Sequence, residues 1–111
     1  DDGKDMNRIF EFSTIGISMD QAVRILDVPL PSHIKMDVDG IEHLILSGGE
    51  AVLKQVVELS IEINEDFLEQ AENVKKYCEK AGLVFREKRH SEMVENNARF
   101  GNTYNQIWYR P

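Results

Sequence analysis

Two short segments constrain most strongly how this chain folds. Residues 34–38 read IKMDV and residues 57–63 read VELSIEI. Side chains alternate sides along an extended strand. The first segment therefore sets Ile34, Met36 and Val38 against Lys35, Asp37 and, one step on, Asp39. The second sets Val57, Leu59, Ile61 and Ile63 against Glu58, Ser60, Glu62 and Asn64. Parallel strands covered by helices on both faces read as near-continuous apolar runs, and these do not. The pattern implies an α/β sheet with one covered face and one polar face. Two explanations remain open: a two-layer sheet with a wet side, or a polar face whose cover or site is completed from outside these 111 residues.

The rest of the chain supplies the covering layer. SMDQ at residues 18–21 has the Ser-x-x-Gln form of a capping box, predicting a helix over 19–26 that Pro29 and Pro31 stop. RIFEF, residues 8–12, has the alternation of a short strand. Gly40 breaks the first alternating segment, IEHLIL continues as a helical turn or two, and a helix restarts after Gly48 and Gly49 to bury Val52, Leu53 and Val56. Asn64 to Asp66 are expected to cap a longer helix with Phe67, Ala71, Val74, Cys78 and Ala81 on one stripe, ended by Gly82. LVFREK and YNQIWYR read as two closing strands joined by a polar loop over 90–103. Parallel crossovers need a dozen or more residues. The first two strand connections qualify, and the last pair is expected to be antiparallel, with YNQIWYR between LVFREK and VELSIEI.

Composition narrows the partners. The formal charge of −7 argues against nucleic acid or an anionic membrane surface, since both reward concentrated positive charge. The basic run REKRH at residues 86–90 is short, is interrupted by Glu87, and reads as a solvated strand end. No run approaches the roughly 20 apolar residues a membrane span needs. The single Cys78 excludes an internal disulfide and fits a reducing, cytoplasmic setting; at helical spacing with Val74 and Ala81 it reads as a core residue. His33, His43 and His90 form no metal motif.

Residues 34–53, IKMDVDGIEHLILSGGEAVL, resemble the signature segment of the FkbM-type methyltransferases, whose pattern is I-K-[IM]-D-[VI]-[ED]-G-x-E followed by a helix with a small-residue step. Lys35, Asp37, Asp39, Gly40, Glu42 and Gly48 fall on it in register. GISMDQAV, VELSIEI and YNQIWYR resemble the family's upstream Leu-Asp segment, its following strand and its closing strand. The resemblance implies an S-adenosylmethionine-dependent O-methyltransferase on a Rossmann-like sheet, acting on a hydroxyl of a sugar, glycolipid or polyketide-like small-molecule acceptor. It implies Asp37, Lys35 and Asp39 as catalytic residues and Asp37 with Asp20 as cofactor contacts. The family's first half, with its glycine-rich cofactor loop, has no counterpart here. The whole chain, 1–111, is therefore expected to be one unit, the C-terminal portion of a class I methyltransferase domain. Alone it is expected to be inactive, to bind the cofactor negligibly, and to self-associate through the open edge of residues 33–40.

Ligands of open α/β sheets bind at the carboxyl ends of the strands, where Asp37, Asp39, Glu62 and Asn64 fall. Asp37 can serve as the base for an acceptor hydroxyl. Alternatively Asp37, Glu62 and Asn64 can hold magnesium, since hard oxygen ligands suit it. A third reading has Lys35 and the carboxylates merely pairing across the strands. Two other functions compete. DVDG resembles the first motif of haloacid-dehalogenase-like phosphohydrolases, although Ile41 stands where their threonine does. The other is a non-catalytic α/β module that dimerises through an exposed strand edge.

Overall fold

The two alternating segments form one edge and the interior of a four-stranded mixed sheet. The computed structural model describes residues 10–90 and 102–111. In chain order the elements are α1 (Met19–Leu26), β1 (His33–Met36), α2 (Glu42–Ser47), α3 (Glu50–Leu53), β2 (Glu58–Asn64), α4 (Leu68–Lys80), β3 (Val84–Arg89) and β4 (Thr103–Tyr109). The strands lie in the order β1-β2-β4-β3. β1 runs parallel to β2, and β4 pairs antiparallel with both β2 and β3. The closing strand thus sits inside the sheet, as expected from its apolar Ile107 and Trp108.

Alternation is realised in the burial. Leu59, Ile61 and Ile63 are buried, as are Met36 and Trp108, and they join Leu46, Val52, Leu53, Val56, Val74 and Cys78 in one apolar cluster. Glu58, Ser60 and Glu62 on the other face are only half-buried, and Lys35 is exposed. Val57 departs from its expected inward place and is exposed, because β2 starts one residue later. Its backbone is engaged instead, its N–H donating to Ser32 O (2.8 Å) and its carbonyl accepting from Arg110 N (2.8 Å). Cys78 is fully buried, and burial pushes its thiol up to about 12, which makes it inert.

α1 forms with the expected capping box: Gln21 N donates to Ser18 Oγ (3.1 Å) and Ser18 N to Gln21 Oε1 (3.0 Å). It packs onto the α2–α3 junction because that junction is glycine. A Cβ on Gly48 would lie 2.8 Å from Ser18 Cβ, which the backbone holds in place. α4 starts later than the sequence implies. Asn64 Oδ1 accepts from Asp66 N (3.0 Å) in a local turn, and Phe67 takes the N-cap position without a side-chain cap. Gly82, at φ 84°, ends α4 with Leu83 N donating to Cys78 O (2.9 Å), a left-handed cap that a side chain would strain. Arg110 ties this end together, donating to Leu53 O (2.6 Å), Val56 O (2.9 Å) and Ala81 O (2.9 Å).

Residues 10–17 form no strand, so the described part of RIFEF does not extend as expected, and Ile9 lies outside the described residues. Phe10, Phe12 and Ile15 are exposed there. Most of the polar loop over 90–103 also lies outside the described residues. No helix among the described residues is long and apolar enough to cross a membrane.

Candidate functional site

The site begins where β1 stops. Alternation predicts that the strand continues through Val38, but it ends at Met36. The reason is Glu42, in the first turn of α2 and 1% exposed. Its Oε1 accepts from Val38 N (3.1 Å) and its Oε2 from Gly40 N (3.0 Å), so these amides turn inward instead of continuing the ladder. Asp39 and Gly40 accommodate the turn with positive φ of 59° and 111°. Gly40 suits that conformation; Asp39 pays a steric penalty that the surrounding bonds must offset.

The register β1–β2 sets Lys35 beside Ser60 and Met36 beside Ile61, so the next step along the same face meets Glu62. The carboxyl groups of Asp37 and Glu62 come together there. Asp39 arrives by the left-handed loop and not by strand alternation. One oxygen each from Asp37, Asp39 and Glu62 lie within 4.8 Å of one another. The hydrogen bond to Asp37, then burial, then the charges of Asp37, Asp39 and Glu42 raise Glu62 from its ordinary 4.5 to about 7. Glu62 therefore keeps its proton well above the ordinary carboxylate range, with Asp37 as its neighbour.

The other expected site residues fall differently. Lys35 shares the face but makes no ion pair among the described residues, so the cross-strand pairing reading does not hold. Asn64 spends its side-chain oxygen on Asp66 N, leaving Asp39 in the position expected of it as third oxygen ligand. Asp20 stands apart from the acidic cluster. Its carboxylate accepts from Ala51 N (3.1 Å) and Val52 N (3.0 Å), capping α3 and fastening α1 to it.

Two buried polar residues, Glu42 and Gln70, had no assigned role. Gln70 Nε2 donates to Glu42 Oε2, linking α4 to α2. The signal for Gln70 was its place beside Ala71 and Val74 on the apolar side of α4, where a polar residue requires a partner. A groove of about 680 Å³ between α4 and the β3–β4 pair, floored by Leu83, Phe85 and Trp108, is lined by neither Asp37, Asp39 nor Glu62.

The three carboxylates suit a hard divalent cation or a positively charged organic group, or act on protons by themselves. No protein-family model, curated protein or solved structure matches this chain.

Proposed function

We propose that this chain is the acceptor-side half of an S-adenosylmethionine-dependent O-methyltransferase, its sheet forming the second half of a Rossmann-like domain. The observation that carries the reading is the meeting of Asp37 with Glu62 at the carboxyl ends of two parallel strands, where Glu62 is raised to about 7. A carboxyl group titrating near the working pH is matched to proton transfer. The interior position of β4, which the resemblance implied, supports the same reading.

Bound S-adenosylmethionine would supply an electrophilic methyl group. Asp37 accepts the acceptor hydroxyl's proton, and Glu62, donating to Asp37, fixes which carboxylate oxygen is free to do so. Asp37 and Asp39 also suit the positive charge of the cofactor, whereas Asp20, with both oxygens engaged, serves the fold. Lys35, on the same face, offers a donor to the acceptor's other oxygens.

The test is transfer of a labelled methyl group to hydroxylated sugars, glycolipids and polyketides by the full-length protein. Asp37→Asn is expected to lower kcat by about 10²-fold or more while the protein stays folded. An unimpaired Asp37→Asn enzyme rules out the base. Chelation of divalent cations separates the two uses of the triad: loss of turnover points to magnesium on Asp37, Asp39 and Glu62, and unchanged turnover to Asp37 alone.

A second reading, a dimerising module, is favoured by the contrast between the sheet edges. β3 is charged and carries a register shift between Phe85 and Glu87, features that blunt an edge. β1 carries only Lys35 and no register shift, and it follows a segment whose Ile15, Ile25, Leu26 and Leu30 are exposed. Light scattering on the 111-residue chain tests it. A half-domain with an open edge is also expected to self-associate, so a dimer dispersed by Leu26→Glu leaves both readings standing, and a monomer at all concentrations removes the module.

A further inference from the structure

Glu42 differs from the other acids in being buried and fully engaged. Its two oxygens receive the Val38 and Gly40 amides from the loop and the Gln70 amide from α4. Only an acceptor-only group can receive all three, and a carboxylate is the one side chain of this length that qualifies. The loop it grips carries Asp37 and Asp39, the latter in a conformation that a non-glycine residue adopts only when held. Without the grip, β1 is free to continue through Val38. The loop would then lose the turn that brings Asp39 to Asp37 and Glu62.

We propose that Glu42 is the positioning residue of the acid site and that Gln70 orients it: the pair links α4 to the loop and holds Asp37 and Asp39 against Glu62. The catalytic consequence rests on the function proposed above, but the grip itself is read without any reaction, so an inactive protein leaves it standing. A merely structural role is the alternative, in which the pair does no more than join α2 to α4.

Exchanging the two groups separates these roles. In the double variant Glu42→Gln with Gln70→Glu, an amide still meets a carboxylate between the helices. The loop, however, now faces a side chain with one acceptor oxygen and an NH2 group. Thermal unfolding is expected to recover most of the stability lost in Gln70→Ala. Amide hydrogen exchange at Val38 or Gly40 is expected to accelerate by about ten- to a hundred-fold, the scale of one lost hydrogen bond to a charged acceptor. The Asp39 HN–Hα coupling is expected to leave its left-handed value. Wild-type protection of both amides in the exchanged protein overturns the proposal. If the double variant does not fold, Gln70→Ala carries the test: a loop with unchanged exchange and coupling overturns it equally.

Discussion

At its amino end β2 is surrounded by cations, and at its carboxyl end by carboxylates. Glu58 pairs with Arg86 (3.2 Å), whose guanidinium also lies 4.5 Å from the centre of the Tyr109 ring. Arg110 spans three carbonyls beside the start of the strand. Four residues later along the strand, Glu62 has Asp37 and Asp39 for company, while the nearby cation Lys88 is taken by Glu65 (3.0 Å). A chain with 13 Lys and Arg had the means to neutralise both ends. At one end charge completes the fold; at the other like charges persist against it. Such uncompensated groups gather where chemistry needs shifted proton affinities.

The contrast is broken most severely at the amino end. Arg110→Ala is expected to destabilise the protein by roughly 2–4 kcal/mol, since three partly buried carbonyls lose a charged donor at once. Urea unfolding measures this, and the exchange rates of the Val38 and Gly40 amides should stay unchanged because Glu42 holds them independently.

At the carboxyl end the expected effect is smaller and of opposite sign. The folded state raises Glu62 above its unfolded value, so it binds more protons than the unfolded chain between about 4.5 and about 7. Stability therefore falls as pH rises through that window. Glu62→Gln is expected to remove the fall and to leave the protein more stable than wild type at pH 8, by on the order of 1 kcal/mol after solvent screening, and unchanged near pH 4. Paired urea titrations at the two pH values check the sign. A variant less stable at pH 8 would mean that the carboxylates at this end are compensated after all.

Least is expected from Glu58→Gln, which breaks an exposed ion pair worth at most about 0.5 kcal/mol. A larger loss by the same measurement would show that the amino end depends on pairwise charge and not chiefly on the Arg110 fork.

Much of the scaffold was legible in the alternation. Leu59, Ile61, Ile63 and Met36 turn inward as their spacing requires, and the composition of YNQIWYR suits its interior place. The acid site was legible only in part. Asp37 and Glu62 meet because adjacent parallel strands carry equal faces. Asp39 joins them for a reason that periodicity does not contain: two loop amides prefer a buried carboxylate to the ladder. Side-chain bonds to backbone override strand and helix patterns, and the same competition moved the start of α4 past Asn64. Gln70 was hidden because its partner lies 28 positions away, on another element.

The interior place of β4 has a kinetic consequence. β2 and β3 never touch; β3 is joined to the sheet only through β4, and β2, otherwise paired with β1 alone, gains its second neighbour from that same strand. Until residues 103–109 arrive, one edge of β2 has no neighbour for its backbone donors and acceptors, and β3 has no sheet to belong to. Pairings between distant parts of a chain form slowly because loop closure precedes any gain from them. During synthesis at about 5–20 residues per second, β2 waits on the order of seconds for its second neighbour. The four-stranded sheet is first complete only when residues 103–109 have left the ribosome.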